Sequence, residues 1–142
     1  MTLDKYIWQG VASWLRERID RGLRVVPISL NVSRVDILAC DVAEHMGALA
    51  AQYNLPPELM RIEITETAYT GESEAVDKLT ADLHTRGFST YMDDFGTGQS
   101  TLAMLKNVNV DVIKLDRANH YINARYGAVA PSARRGRRRR DK

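Results

Sequence analysis

The sequence has few of the features of a secreted, disulfide-linked or membrane-spanning protein. Cys40 is the single cysteine among 142 residues, so no disulfide can form within the chain. No apolar run approaches the roughly 20 residues that cross a bilayer, and the opening MTLDKYIWQG lacks the basic and apolar regions of a signal peptide. These absences predict a cytoplasmic chain with no membrane contact. The apolar content of 44% suits one globular domain, or part of one.

Charge is unevenly divided along the chain. The final stretch PSARRGRRRRDK has a net charge of +6, whereas the whole chain carries +2. Residues 1–130 therefore carry a net charge of −4. An arginine run can bind nucleic acid, but no aromatic residue is interleaved here for base stacking. Residues 118–142 are therefore an unassigned, Arg-rich segment that we expect to be disordered, with nucleic-acid binding as the less favoured interpretation.

Helical periodicity recurs between extended segments. It predicts helices over residues 3–21, 41–54, 72–87 and 100–107. In the first helix, the predicted buried face consists of Leu3, Ile7, Val11, Trp14, Leu15 and Ile19. Asp41 has the spacing of an N-cap with Glu44 as its return partner, and Gly87 is expected to end the third helix.

Short β-prone runs lie between these helices. They are RVVPISLNV, MRIEITE, FSTYM and VDVIKLD, and the first is interpreted as a strand buried on both faces that starts irregularly at Pro27. Alternating strands and helices predict an α/β fold of about four βα units with a parallel sheet. Either an open doubly wound sheet or a section of a barrel satisfies the pattern.

Polar side chains follow the apolar part of every predicted strand. In both architectures the carboxyl ends of the strands form the ligand site. Any one of these residues alone is more simply a turn or cap residue. Together they predict a metal-assisted phosphoryl site, since oxygen ligands favour Mg²⁺ or Mn²⁺. The candidates are Asn31, Glu63, Glu66, Asp93, Asp94, Lys114 and Asp116.

Four stretches resemble the EAL family of cyclic di-GMP phosphodiesterases. They are ISLNVSR, LPPELMRIEITETAYT, YMDDFGTGQSTLAMLK and VDVIKLDR, in that order. The resemblance implies that residues 1–117 form part of a (β/α)₈ TIM barrel of EAL type. It also implies that two Mg²⁺ or Mn²⁺ ions activate a water molecule, which opens cyclic di-GMP to linear pGpG.

The resemblance also implies a role for each candidate residue. Asn31, Glu63, Asp93 and Asp94 match metal ligands, with Asp93 shared by both ions. Lys114 matches the lysine that positions the attacking water. Glu66 matches the glutamate that holds the loop after the paired aspartates.

The sequence also departs from the family pattern. It contains no Glu-Ala-Leu triplet, whose glutamate is a metal ligand in the family, and Gln99 stands where the family usually has an aromatic residue. We therefore expect the isolated polypeptide to be inactive and to self-associate, or to be completed by another chain, because four barrel strands leave two unpaired edges. A module that binds cyclic di-GMP or a protein partner without hydrolysis is the alternative function.

Overall fold

The structure is a computed structural model that describes residues 3–95, 109–115, 120–123 and 128–131. Its helices are α1 (Leu3–Asp20), α2 (Arg34–Ala39), α3 (Val42–Gln52), α4 (Glu66–Gly71) and α5 (Ser73–Thr85), with a 3₁₀ turn at Pro57–Leu59. Its strands are β1 (Ile28–Val32), β2 (Met60–Thr65), β3 (Ser89–Phe95), β4 (Val112–Leu115), β5 (His120–Asn123) and β6 (Ala128–Pro131). The predicted helix over residues 100–107 lies outside the described residues.

The six strands form one sheet in sequence order, β1-β2-β3-β4-β5-β6. Strands β1 to β4 are parallel neighbours, whereas β5 and β6 are antiparallel to the strand before them. The parallel α/β arrangement confirms the predicted fold class. The antiparallel strands correct the expectation of disorder for residues 120–123 and 128–131; the arginine run from residue 134 onward lies outside the described residues.

The hydrophobic core lies between one face of the sheet and the helices. Alternate residues of β2, namely Met60, Ile62 and Ile64, are fully buried, and Met92 and Ile113 continue this face on the next two strands. The period of two in a strand explains the pattern. The same alternation corrects the prediction for β1: Ser29 and Asn31 are exposed, so this strand is buried on one face only.

Helix α1 buries only part of its predicted face, because Leu15 is buried and Val11 and Ile19 are partly buried against the core. Trp8, Ala12 and Leu15 are its buried residues, whereas Leu3 and Trp14 are 72% and 44% exposed. This helix has two apolar stripes, and the stripe that contains Trp8 packs against the sheet. In helices α3 and α5, the apolar residues at helical spacing face the core: Val42, Met46, Leu49, Val76, Leu79 and Leu83.

Short-range chemistry fixes the element ends. Asp41 caps α3 by accepting a hydrogen bond from the backbone N–H of Glu44. Gly87, which follows the C-cap residue Arg86 of α5, has a φ of +84°, the left-handed conformation that glycine adopts without steric cost. Among the described helices, none is long and apolar enough to cross a membrane.

The amino ends of β3 and β4 are tied together by a polar cluster. The Oδ2 atom of Asp111 accepts a hydrogen bond from the backbone N–H of Thr90 over 2.8 Å, and it lies 3.0 Å from Nε2 of His84. The hydroxyl of Thr90 lies 2.9 Å from the same nitrogen. These contacts hold α5 against the end of the sheet opposite the candidate site.

Candidate functional site

The candidate site lies on the face of the sheet opposite the helix-packed core, which we call the open face. Because strand residues alternate between faces, every second residue of β1 to β4 belongs to it. These residues are Ser29, Asn31, Arg61, Glu63, Thr65, Ser89, Tyr91, Asp93, Val112 and Lys114. Nine of the ten are polar or aromatic, whereas the core face is apolar apart from Thr90.

The parallel register brings the predicted ligands together at one end of the open face. Asn31 and Glu63 are direct partners across β1 and β2. Asp93 pairs with Thr65, two residues beyond Glu63 on the same face. Since neighbouring strands lie about 4.8 Å apart, Asn31, Glu63 and Asp93 form a row near the carboxyl ends of three strands.

Lys114 joins this row from the fourth strand. Its ammonium group donates a short hydrogen bond to Oε1 of Glu63 and lies 3.6 Å from Oδ2 of Asp93. The Glu63 side chain is only 6% exposed and that of Lys114 is 22% exposed. The lysine therefore compensates a buried carboxylate that would otherwise be costly to remove from water.

A β-bulge places both aspartates at the rim. Met92 pairs with Ile113 and Phe95 with Leu115, so Asp93 and Asp94 together face the single residue Lys114. Asp94 adopts the left-handed backbone conformation, with a φ of +59°, and its backbone N–H donates to Oδ1 of Asp93 over 3.0 Å. In a regular strand the side chain of Asp94 would point toward the core; the bulge leaves it exposed.

The three residues of the Asn-Val-Ser triplet have different surroundings and different tasks. Asn31 faces the open side, and Val32 is buried in the core. Ser33 caps α2 by accepting a hydrogen bond from the backbone N–H of Asp36, and the Asp36 carboxylate accepts one from the backbone N–H of Ser33. The capping box thus fixes the chain immediately after Asn31.

Two contacts that support the site could not be identified from motif spacing. Trp8 is 1% exposed, and its indole nitrogen donates to the backbone carbonyl of Asn31 over 3.0 Å. Arg34 donates to Glu72 over 2.6 Å, which joins the turn after β1 to the junction between α4 and α5. The only sequence signal for Trp8 is the second apolar stripe of α1, which it forms with Ala12 and Leu15.

The remaining candidates are placed less centrally. Glu66 is buried in the first turn of α4, directly after the strand that carries Glu63. Its predicted role concerns the loop after Asp94, and residues 96–108 lie outside the described residues, as does Asp116. The roles of all these residues remain predictions.

A divalent metal fits the donor chemistry of the open face. Within residues 3–95 and 109–114, no three His, Cys, Asp or Glu side chains lie close enough together to hold an ion by themselves. The available donors are oxygens from Asn31, Glu63, Asp93 and Asp94, which is the set that hard cations prefer. Two of these carboxylates also contact the ammonium group of Lys114.

Comparisons with known proteins agree with this geometry. Residues 2–124 match the family model described as the EAL domain. The chain is 33% identical over 117 residues to the cyclic di-GMP phosphodiesterase RocR of Pseudomonas aeruginosa, covering 81% of this chain and 30% of RocR.

Solved structures show the same fold. The EAL domain of Mycobacterium smegmatis DcpA superimposes with a TM-score of 0.71 at 28% identity, covering 81% of this chain and 52% of that one. Klebsiella pneumoniae BlrP1, solved with manganese and cyclic di-GMP, superimposes with a TM-score of 0.65 at 23% identity, covering 80% of this chain and 29% of that one. The chain thus spans about half of the DcpA domain and less of the longer proteins. It belongs to the EAL domain family.

Proposed function

We propose that this chain supplies part of the active site of a metal-dependent cyclic di-GMP phosphodiesterase, with linear pGpG as the product. One observation carries the proposal. Four adjacent parallel strands present Asn31, Glu63, Asp93 and Lys114 on one face, and a bulge adds Asp94. RocR, the relative at 33% identity, bears the name of this activity.

The residues of the chain have separable tasks in this proposal. Asn31, Glu63, Asp93 and Asp94 would hold Mg²⁺ or Mn²⁺ through oxygen atoms. The bound metal supplies an activated water and neutralises phosphate charge. Lys114 keeps Glu63 and Asp93 oriented toward the same point, and its ammonium adds positive charge where a phosphodiester oxygen would become more negative.

The 142-residue polypeptide should bind metal ions without hydrolysing cyclic di-GMP. Its sequence contains no Glu-Ala-Leu triplet, and the loss of even a residue that orients a metal ligand commonly reduces metal affinity or activity by 10-fold to 100-fold. We therefore expect it to bind Mn²⁺ weakly and to show no measurable hydrolysis of cyclic di-GMP by itself. The alternative, a module that binds cyclic di-GMP without hydrolysing it, predicts nucleotide binding that does not depend on the metal.

Calorimetry with Mn²⁺ tests the proposed ligands. Asp93→Asn should abolish detectable Mn²⁺ binding, because it removes a charged donor from the row. Asp82→Asn is the matched control, since Asp82 lies on α5 and pairs with Lys78 over 2.6 Å, away from the open face. Equal Mn²⁺ affinities for the wild type and Asp93→Asn would refute the ligand assignment.

A nucleotide titration tests the substrate. Cyclic di-GMP should bind more tightly with excess Mn²⁺ than with a chelator, and Asp93→Asn should remove the difference. Binding that is the same in both conditions would favour the non-catalytic module. Hydrolysis by the purified polypeptide that Asp94→Ala abolishes would show that the expectation of inactivity is wrong.

A further inference from the structure

Arg61 and Tyr91 lie on the open face, next to the row of candidate ligands. Arg61 precedes Glu63 by two residues on β2, and Tyr91 precedes Asp93 by two residues on β3. In the parallel register, Tyr91 is the direct partner of Glu63. Both the arginine and the tyrosine are partly buried. An arginine and an aromatic ring therefore lie immediately beside the carboxylates that the proposed function assigns to the metal.

The guanidinium group of Arg61 lies over the ring of Tyr91. Its Cζ atom is 5.4 Å from the ring centroid, within the separation of about 6 Å at which a cation–π interaction acts. The ammonium group of Lys114 instead pairs with Glu63 and lies 3.6 Å from Oδ2 of Asp93. These two cations of the open face thus have different partners, because Arg61 contacts the ring and Lys114 contacts the carboxylates.

Arg61 is long enough to reach Glu63. Residues two apart on a strand share a face and lie roughly 6.6 Å apart, and an arginine side chain spans this distance. A guanidinium group binds a carboxylate through two parallel hydrogen bonds, whereas Lys114 contacts Glu63 through Oε1. An arginine bound to Glu63 would therefore occupy both carboxylate oxygens and place a positive charge where the metal ion has to bind.

We propose that Tyr91 is a positioning residue for the metal-binding row. Its ring holds the guanidinium group of Arg61 away from Glu63, so the carboxylate is left to Lys114 and the metal ion. An aromatic ring suits this task because it attracts the guanidinium group without adding a carboxylate that would compete for the metal. The inference rests on the proposed function, since it concerns the metal affinity of the same row.

Calorimetry with Mn²⁺ tests this role. Tyr91→Leu removes the ring but keeps an apolar side chain, and it should raise the dissociation constant for Mn²⁺ about 10-fold, because the released Arg61 competes with the ion. Tyr91→Phe is the matched control: it keeps the ring, so the constant should stay within about 2-fold of the wild-type value. Tyr91→Leu/Arg61→Met should bind Mn²⁺ as tightly as Arg61→Met does. A loss of affinity that persists in this double variant would overturn the proposal.

Urea denaturation without metal tests the same role independently of metal binding. Lys114→Met should lower the urea midpoint of the wild type. In the Tyr91→Leu background the loss should be at most about half as large, since Arg61 can then pair with Glu63, and adding Arg61→Met should restore the full loss. Equal losses in the wild-type and Tyr91→Leu backgrounds would overturn the proposal. A wild type that binds no Mn²⁺ would instead refute the proposed function, and the urea comparison would still decide the role of Tyr91.

Nuclear magnetic resonance tests the contact in the wild-type chain, without a variant that could fail to fold. The side-chain protons of Arg61 should resonate upfield of ordinary arginine values, because they lie near the face of an aromatic ring. Tyr91→Phe should retain this shift. Ordinary arginine values in the wild type would show that the ring does not hold the guanidinium group, and the proposal would fail.

Discussion

The indole nitrogen of Trp8 donates a hydrogen bond to the backbone carbonyl of Asn31 over 3.0 Å. This contact connects the first helix to the strand residue whose side chain faces the open side of the sheet. Trp8 is 1% exposed, so its ring also fills the core between α1 and β1. Trp8 therefore positions the candidate ligand Asn31 from the core side of the sheet and does not itself reach the site.

Replacing Trp8 with Phe should lower the free energy of unfolding by about 2 kcal/mol, from the lost hydrogen bond and the space left by a smaller ring. Urea denaturation of the dilute, monomeric protein measures this change. Trp14→Phe is the matched control, because Trp14 is 44% exposed, and its effect should stay within about 0.5 kcal/mol. Equal losses for both variants would contradict the assigned anchoring role of Trp8.

The backbone conformation of Asp94 leads to a second prediction about stability. A non-glycine residue in the left-handed conformation costs about 1–2 kcal/mol, and Asp94 has a φ of +59°. Asp94→Gly should therefore be more stable than Asp94→Ala by about 1 kcal/mol, although both variants lose the carboxylate. Urea denaturation of the two variants without metal makes the comparison. An alanine variant as stable as the glycine variant would show that the bulge relaxes when the side chain is removed.

The pKa of His45 makes stability depend on pH. Burial lowers this pKa from its ordinary value of 6.5, and the nearby charge of Lys5 lowers it further. Between the lowered pKa of the folded state and 6.5, the unfolded chain therefore binds more protons than the folded chain. The stability contributed by neutral His45 is complete above pH 6.5 and is lost as the pH falls. His45→Gln should remove the contribution of His45 to the slope of the unfolding free energy against pH, between pH 7.5 and about 5.5. Parallel stability curves for the wild type and the variant would contradict it.

Much of the sheet could be predicted from the sequence, because the signals are local. Strands β1 to β4 are apolar runs bounded by breaks in the pattern, and their parallel order follows from the helices between them. The rule that ligands collect at the carboxyl ends of such strands correctly predicts that Asn31, Glu63, Asp93 and Lys114 lie near one another. Their chemical roles remain predictions.

Other features depend on tertiary contacts that a periodic pattern does not contain. Helix α1 has two apolar stripes, and only packing against β1 selects the one with Trp8 over the one with Ile7. Helices α2 and α4 have six residues each, too few to show a period. The bulge at Asp93 and Asp94 is visible only in the register of β3 against β4.

The ion pair between Lys114 and Glu63 makes the sharpest prediction about the open face. Lys114→Met would leave the carboxylate of Glu63, which is 6% exposed, without its positive partner. The free energy of unfolding should fall by about 2–3 kcal/mol, less than the 3–5 kcal/mol of a fully buried pair, because Lys114 is 22% exposed. Urea denaturation without metal gives this value.

A double variant and added metal then identify the cause of the loss. Lys114→Met/Glu63→Gln should recover part of the lost stability, since the buried carboxylate of Glu63 is no longer left without a positive partner. Excess Mn²⁺ should stabilise Lys114→Met more than it stabilises the double variant, because the cation can replace the ammonium only where the carboxylate is retained. Lys78→Met is the control: its partner Asp82 is 41% exposed, so the unfolding free energy should barely change. If the single and double variants were equally unstable and Mn²⁺ affected neither, Lys114 would act through packing rather than by compensating the charge of Glu63.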